Sequence, residues 1–425
     1  MIFSNKKAFL NSKGVFLTLA GIIFSANGFA QEKYVAPQSE KDWALKYQSV
    51  SGPGVPVQGD GLGGWRSGTD GVYYEGPHPR PEYNLKFQGK AKGTAVEKGL
   101  VPPILPAIEL HLRDGVVTLG HDGNYYLTGS SGDNIWGFTK GVELWKSPDL
   151  RKWTYLGLVW DIDKEAEEWV KEWRKHPRQA VRAVWAPEIH YIKKNYYICF
   201  SMCPDGIGIL KSSTGKPEGP YVSAFTEKGS IVSGIDPTLF EDTDGKVYFT
   251  YGAGKEIALL KDDLSGFAAP FKKIDFTEPD HDPAHHAEKC SRRGMNDLGH
   301  EGAVLFKRNG KYYLGAADDY EGRYSTCIAI SDNIYGPYVK RHESIPCGGG
   351  TGFFKDKNGD WWSSYFGNDS QSHFREKIGF IKASFTADGM IYPAKDQPFV
   401  KKEKQQEWLE KWKKIWKDKY NQTKK

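Results

Sequence analysis

Ile235-Asp236-Pro237-Thr238-Leu239-Phe240-Glu241-Asp242-Thr243-Asp244-Gly245-Lys246-Val247-Tyr248-Phe249-Thr250-Tyr251 sets an acid at the head of one β-prone run, then an Asp-Gly turn, then a second run of β-branched and aromatic residues. This is half of a four-stranded propeller blade. The turn and second strand recur as Asp122-Gly123-Asn124-Tyr125-Tyr126-Leu127, Lys194-Asn195-Tyr196-Tyr197-Ile198, Asn309-Gly310-Lys311-Tyr312-Tyr313-Leu314 and Asn358-Gly359-Asp360-Trp361-Trp362-Ser363. Counted at positions 124, 195, 246, 311 and 360, the intervals are 71, 51, 65 and 49 residues, the period of four-strand repeats carrying insertions. Five copies predict an all-β, five-bladed β-propeller.

Outward from those repeats, the first blade opens near His111-Leu112-Arg113-Asp114 and runs to Trp153. Later blades are expected to close with Ile207–Ser212, Ile257–Asp262, Cys327–Asp332 and Ile378–Ala383. The propeller is thus assigned to residues 106–400, and residues 31–105, rich in Gly and Pro, to an irregular N-terminal arm packed on it. Asp163–Arg174 reads as a short amphipathic helix inserted between blades one and two, expected to border and narrow the mouth of the central pocket. Residues 401–425 read as a C-terminal amphipathic helix with Trp408, Trp412, Trp416 and Tyr420 on one face, packed outside the propeller.

Residues 1–30 carry Lys6, Lys7 and Lys13, an apolar run from Val15 to Phe24 and a small-residue end at Gly28-Phe29-Ala30, the grammar of a signal peptide cleaved near Ala30. The expectation is a secreted or periplasmic protein, with no later apolar run long enough to span a bilayer. The net charge of +5 is unevenly spread: residues 1–30 contribute +3 and residues 401–425 contribute +6, which leaves −4 for the body. A slightly acidic body offers no basic groove for nucleic acid. The five cysteines, Cys199, Cys203, Cys290, Cys327 and Cys347, are too scattered for a disulfide framework and read as buried thiols with at most one disulfide. His281, His285 and His286, beside Asp280 and Asp282, read as an exposed insertion loop in preference to a metal site.

A propeller brings the starts of its innermost strands to a common axis. Asp114, Asp236 and Glu301 stand at three such starts. Like charges gathered on an axis are costly without a use, so the three acids are the candidate site. Trp185, Glu188, His190, His300 and Arg375 lie at blade starts or in connections that face the same axis, where a ring stacks on a sugar and a guanidinium holds hydroxyls.

With those residues in view, the chain resembles glycoside hydrolase family 43 over roughly residues 108–395. The resemblance rests on Val184-Trp185-Ala186-Pro187-Glu188-Ile189, Ile235-Asp236-Pro237 and Glu301-Gly302. It implies Asp114 as general base, Asp236 as the acid that tunes and orients, and Glu301 as general acid. Asp114 is followed by Gly115 where the family usually shows Pro, and the blade-five stretch Cys347-Gly348-Gly349-Gly350-Thr351-Gly352 offers no His to a central calcium, so no cofactor is expected. His300 directly before Glu301 is also similar to the pattern of family 117, the anhydrogalactosidases of agar oligosaccharides, which implies His300 as the proton donor.

The resemblance implies an inverting, exo-type glycosidase, β-xylosidase or α-L-arabinofuranosidase-like, on plant or algal cell-wall oligosaccharides. An anhydrogalactosidase or another rare-sugar hydrolase is the alternative, and a carbohydrate-binding propeller without catalysis a further one. The acids fit the chemistry independently. An inverting enzyme needs one carboxylate to activate water and one carboxylic acid to protonate the leaving oxygen, and a third acid beside the donor favours its protonated form by repulsion.

Overall fold

The computed structural model describes residues 95–417 apart from 132–134, 136, 177–178, 277–297, 321–322, 368–371 and 375, together with a short antiparallel strand pair, Gly64–Arg66 and Tyr73–Glu75. Five four-stranded antiparallel meanders follow one another along the chain. Blade one is built from Leu112–Leu119, Tyr125–Ser131, Gly141–Ser147 and Thr154–Asp161. Blade two holds Val184–Ile192, Asn195–Met202, Ile207–Ser212 and Tyr221–Ser223. Blade three holds Thr238–Glu241, Val247–Thr250, Glu256–Leu259 and Lys272–Lys273. Blade four holds Glu301–Arg308, Lys311–Tyr320, Arg323–Ser331 and Val339–Ile345. Blade five holds Phe353–Lys355, Trp361–Tyr365, Gly379–Phe385 and Ile391–Pro393. The runs expected to close blades two to five are third strands. A shorter fourth strand follows each, only two or three residues long in blades two, three and five.

The turns repeat because the backbone demands it. Gly123, Gly245, Gly310 and Gly359 all lie at φ between 73° and 83°, where a side chain is strained, while blade two makes the same turn with Lys193 and Lys194 at φ 47° and 63°. Second strands read as nearly unbroken apolar runs because each is buried on both faces. Tyr126 packs toward blade two, whereas Tyr125 and Leu127 pack toward blade five. Core clusters are accordingly seated between neighbouring blades, with Phe249 between blades two and three, Leu314 between three and four, and Phe306 between four and five.

Each blade is continuous in the chain, so no exchanged strand closes the ring. Closure comes from the segments that flank it. Leu105 donates to the carbonyl of Phe399, Ala107 to Ile378, Leu112 to Glu376 and Lys401 to Pro103, and Ile104 bridges Val400. A helix at Lys402–Ile415 then lays Trp408, Trp412 and Trp416 on Tyr392 of blade five, with the indole N–H of Trp412 donating to the Pro393 carbonyl at 3.0 Å. Tyr420 lies outside the described residues.

The insertion between blades one and two is two single turns, α1 (Ile162–Glu165) and α2 (Glu168–Lys171), where one continuous helix was expected. Asp161 caps α1 by accepting from the Asp163 N–H, and the Glu165 carboxylate reaches back to the Asp161 N–H at 2.7 Å. That reciprocal cap closes the first turn on itself, and Ala166 and Glu167 are extended behind it. Ile162, Ala166 and Val170 are buried among Trp160 and Phe200, between blades one and two.

Candidate active site

One backbone device recurs at the head of every inner strand. Asp114, Ala186, Asp236, Gly302 and Gly350, one from each blade, all adopt left-handed φ of 51°, 43°, 54°, 67° and 71°. In blades one, two and four the inner strand carries one extra residue there: the pairings Arg113↔Ser130 and Val116↔Thr128, Trp185↔Ser201 and Glu188↔Cys199, and Glu301↔Ala317 and Val304↔Gly315 set three steps against two. Such a bulge re-aims the side chains beside it. Here it turns the residues around the left-handed position onto the axis. Asp is among the few residues with a side chain that tolerate this conformation, and strain of this kind collects at functional sites.

Glycine is required at two of the five places. A Cβ on Gly302 would lie 2.9 Å from Cα of Gly350, and one on Gly350 would lie 3.1 Å from Asp114 Oδ1. Gly302→Ala is therefore expected to destabilise the fold more than Gly359→Ala, whose added methyl meets open space at a similarly strained φ of 83°. The control should cost about 1 kcal/mol and the pocket variant about 1–3 kcal/mol more. Urea midpoints of the two variants decide it, and equal midpoints would refute the close approach. Gly115, which stands where Pro was expected, has its own reason: a Cβ there would fall 2.6 Å from Ile378 Cδ1.

The pocket collects residues from all five blades: Arg113, Asp114 and Ser130, then Trp185, Ala186 and Glu188, then Ile235 and Asp236, then Glu301, Gly302, Ala303 and Tyr324, and finally Gly350 and Thr351, with Ile135 from the connection inside blade one. The empty space these residues border, open solvent included, is about 650 Å³. None of residues 162–171 lines it, so α1 and α2 do not narrow it as expected. Their apolar side chains are spent on the core between blades one and two. Ile135 and Trp185 form that part of the wall instead, joined by the indole N–H of Trp185 donating to the Ile135 carbonyl at 2.6 Å.

Asp114 accepts from the Ser130 hydroxyl at 2.8 Å. Burial pushes its carboxyl up from the ordinary range, opposed by Arg113 beside it and by Ser130. Asp236 accepts from the Gly302 N–H at 2.9 Å, while its own N–H faces the Ser201 hydroxyl at 3.3 Å. Burial, reinforced by the charges of Asp114 and Glu301, holds Asp236 well above its usual range. The repulsion within the trio therefore weighs heavily on Asp236, the acid expected only to exert it. The Glu301 side chain is 29% exposed, and Tyr324 donates to its Oε1 at 2.6 Å.

His300 stands behind Glu301 and does not line the pocket. Its side chain is 5% exposed, with Nε2 3.7 Å from Glu301 Oε1 and Nδ1 3.5 Å from Asp318 Oδ1, and Asp318 is in turn ion-paired with Arg341. Glu188 lines the pocket and meets His190 Nε2 at 2.9 Å, with Cys199 across the strand pair. Among the described residues, Glu188, His190 and Cys199 bring three ligand-type atoms within 4.8 Å of one another, the one group that could hold a metal ion. The Cys199 thiol, fully buried, faces the Pro237 carbonyl at 3.2 Å. Cys199, Cys203, Cys327 and Cys347 are all buried. Arg375, Cys290 and the cluster of His281, His285 and His286 lie outside the described residues.

Three lining residues escaped the reading of the sequence. Arg113 had a usable signal, a cation directly before an acid in a strand expected to be buried. Tyr324 and Ser130 had none, because Ser130 reaches Asp114 from the paired second strand of blade one and Tyr324 reaches Glu301 from the third strand of blade four.

An axial pocket of acids in a five-bladed propeller defines the class. Residues 105–391 match the glycosyl hydrolases family 43, and the chain belongs to that family. It is 25% identical over 224 residues to a β-D-galactofuranosidase of Aspergillus niger, covering 48% of this chain and 56% of that protein. It is 26% identical over 247 residues to an extracellular endo-α-(1→5)-L-arabinanase of Bacillus subtilis, covering 54% and 69%. A putative β-xylosidase of Xylanibacter ruminicola is matched at 24% identity over 53% of this chain and 40% of its own, so the chain spans about half the length of these curated relatives. Among solved structures, the fold is shared with a family 43 enzyme of Xanthomonas citri complexed with xylotriose, at TM-score 0.53, 20% identity and 69% and 93% coverage. It is also shared with a family 43 β-xylosidase/α-arabinofuranosidase from a compost metagenome, at TM-score 0.52, 22% identity and 69% and 98% coverage.

Proposed function

We propose that the protein is an inverting, exo-acting glycoside hydrolase that removes single sugars, of the β-xylosidase or α-L-arabinofuranosidase kind, from plant or algal cell-wall oligosaccharides. The observation that carries this reading is the convergence of Asp114, Asp236 and Glu301 on one pocket enclosed by all five blades. Asp114 is the general base and Glu301 the general acid. They stand on blades one and four and line the same pocket, as an inverting mechanism requires of a base and an acid that act on opposite sides of one sugar. A pocket ringed by five blades suits a chain end, whereas an endo-acting enzyme needs a cleft open at both sides.

Chemistry follows from the partners of each acid. Asp114, aligned by Ser130, takes a proton from water as that water attacks the anomeric carbon. Glu301, held by Tyr324, delivers a proton to the departing oxygen. Trp185, fixed by its bond to Ile135, offers a flat apolar wall for the sugar. Four lining carboxylates, Asp114, Asp236, Glu301 and Glu188, against the single guanidinium of Arg113 suit an uncharged sugar. The buried place of His300 behind Glu301 supports Glu301 as donor over the anhydrogalactosidase reading. Retention of acid and base together argues against a purely binding propeller. The N-terminal Lys6, Lys7, Lys13 and the apolar run to Phe24 support export to the periplasm or beyond, with cleavage near Ala30.

The test is a panel of aryl xylosides and arabinofuranosides beside xylan, arabinan, agar and ulvan oligosaccharides, with the first-formed sugar followed by proton NMR. Release of single sugars with inverted anomeric configuration is expected. Retained configuration, or release of longer fragments only, would overturn the mechanism or the exo reading respectively.

A further inference from the structure

Arg113 is a cation placed among acids. Among the described residues that line the pocket it is the only cation, and it shares the lining with Asp114, Asp236, Glu301 and Glu188. Its side chain is 11% exposed and is gripped from blade five: Nε lies 3.3 Å from Glu376 Oε2 and the guanidinium sits 5.1 Å over the ring of Phe366. Glu376 is itself fixed, its side chain 4% exposed, with His111 at 3.4 Å, its N–H donating to the Gly367 carbonyl and its own carbonyl accepting from Leu112. The cation therefore cannot swing away from the bulge that carries Asp114.

We propose that Arg113 is a positioning residue for the general base, a guanidinium locked by Glu376 and Phe366 that keeps the Asp114 carboxylate ionised within a ring of acids. The proposal rests on the reading of Asp114 as the base. A base at the bottom of a closed pocket has two adversaries, loss of water around its charge and the charges of neighbouring acids, and either one returns the proton that the base must give up. The groups that face Asp114 are Arg113 and Ser130 from its own blade, Glu376 from the connection in blade five, Glu301 from blade four and Asp236 from blade three. Burial, Glu376 and Glu301 favour the protonated carboxyl, while Arg113 and Ser130 oppose them. Arg suits the place better than Lys, because a planar fork can meet Glu376 through one nitrogen, stack on Phe366 and still present charge to its neighbour.

This arrangement predicts shifts of opposite sign. The acidic limb of the pH profile of kcat/KM reports the base in the free enzyme. Arg113→Met should move that limb up by about one pH unit or more, with Arg113→Lys moving it less. Glu376→Gln removes a negative charge that competes for the guanidinium and should move the limb down. A residue that served only packing would not produce opposed shifts.

Removing one partner of a buried pair can unfold a protein, so Arg113→Met/Glu376→Gln, which removes both charges together, guards the test. The double variant should move the limb up, by less than Arg113→Met. An unmoved limb in Arg113→Met or in the double variant, or shifts of the same sign in Arg113→Met and Glu376→Gln, overturns the proposal. Asp114→Asn separates this failure from failure of the underlying reading: if it keeps hydrolysing, Asp114 is not the base, and if it is dead while the limb stays unmoved, only the role of Arg113 falls.

Discussion

Asp114→Asn should abolish hydrolysis of natural and aryl glycosides alike, with a fall in kcat/KM of about 10³-fold or more on both. The equality matters more than the size. Without a carboxylate at this place no water is deprotonated as it attacks, and the quality of the leaving group has no bearing on that step. The substitution is a gentle one for the fold. Asn is among the few residues that accept the left-handed backbone at φ 51°, and its amide keeps the shape that Ser130 binds. An unchanged melting transition beside lost activity would locate the defect in the chemistry. Substantial activity remaining on either substrate class would remove Asp114 from the role of base.

Glu301→Gln should divide the two substrate classes that Asp114→Asn treats alike. Natural glycosides depart as poor leaving groups and need the proton, so kcat/KM on them should fall about 10²–10⁴-fold. Aryl glycosides with an acidic phenol depart unaided and should lose far less. The glutamine still accepts from Tyr324, so the pocket keeps its form. His300→Ala tests the rival donor. Because His300 touches Glu301 from behind, between it and Asp318, its loss should misplace the acid and lower natural glycosides more than aryl glycosides, with a smaller gap between the two than Glu301→Gln gives. If His300→Ala shows the leaving-group dependence and Glu301→Gln does not, the donor is His300 and the anhydrogalactosidase reading gains. Measuring kcat/KM against the pKa of the leaving phenol for both variants resolves the two.

The fold was legible because its signals are local. A turn at Asp122-Gly123 or Asn309-Gly310 is decided by residues that touch one another along the chain, and so is the two-sided burial that makes Tyr125-Tyr126-Leu127 read as a blade's second strand. Repetition of such a unit determines a ring of blades, and a ring determines that Asp114, Asp236 and Glu301 meet on its axis. That much of the candidate site follows from counting. Other features depend on which parts of the chain the ring sets side by side. The helix expected over 163–174 broke into two turns because Glu165 closed back on Asp161 and the apolar residues were drawn into the core between blades one and two. Asp236 carries much of the repulsion because burial adds to the charges of two acids from other blades. Tyr324 reaches Glu301 from two strands away in blade four, and Arg113 is locked by Glu376 from the far end of the closed ring. Turn chemistry and strand patterning are properties of neighbours in sequence, whereas the charge state and aim of each acid are set by groups that only ring closure makes neighbours in space.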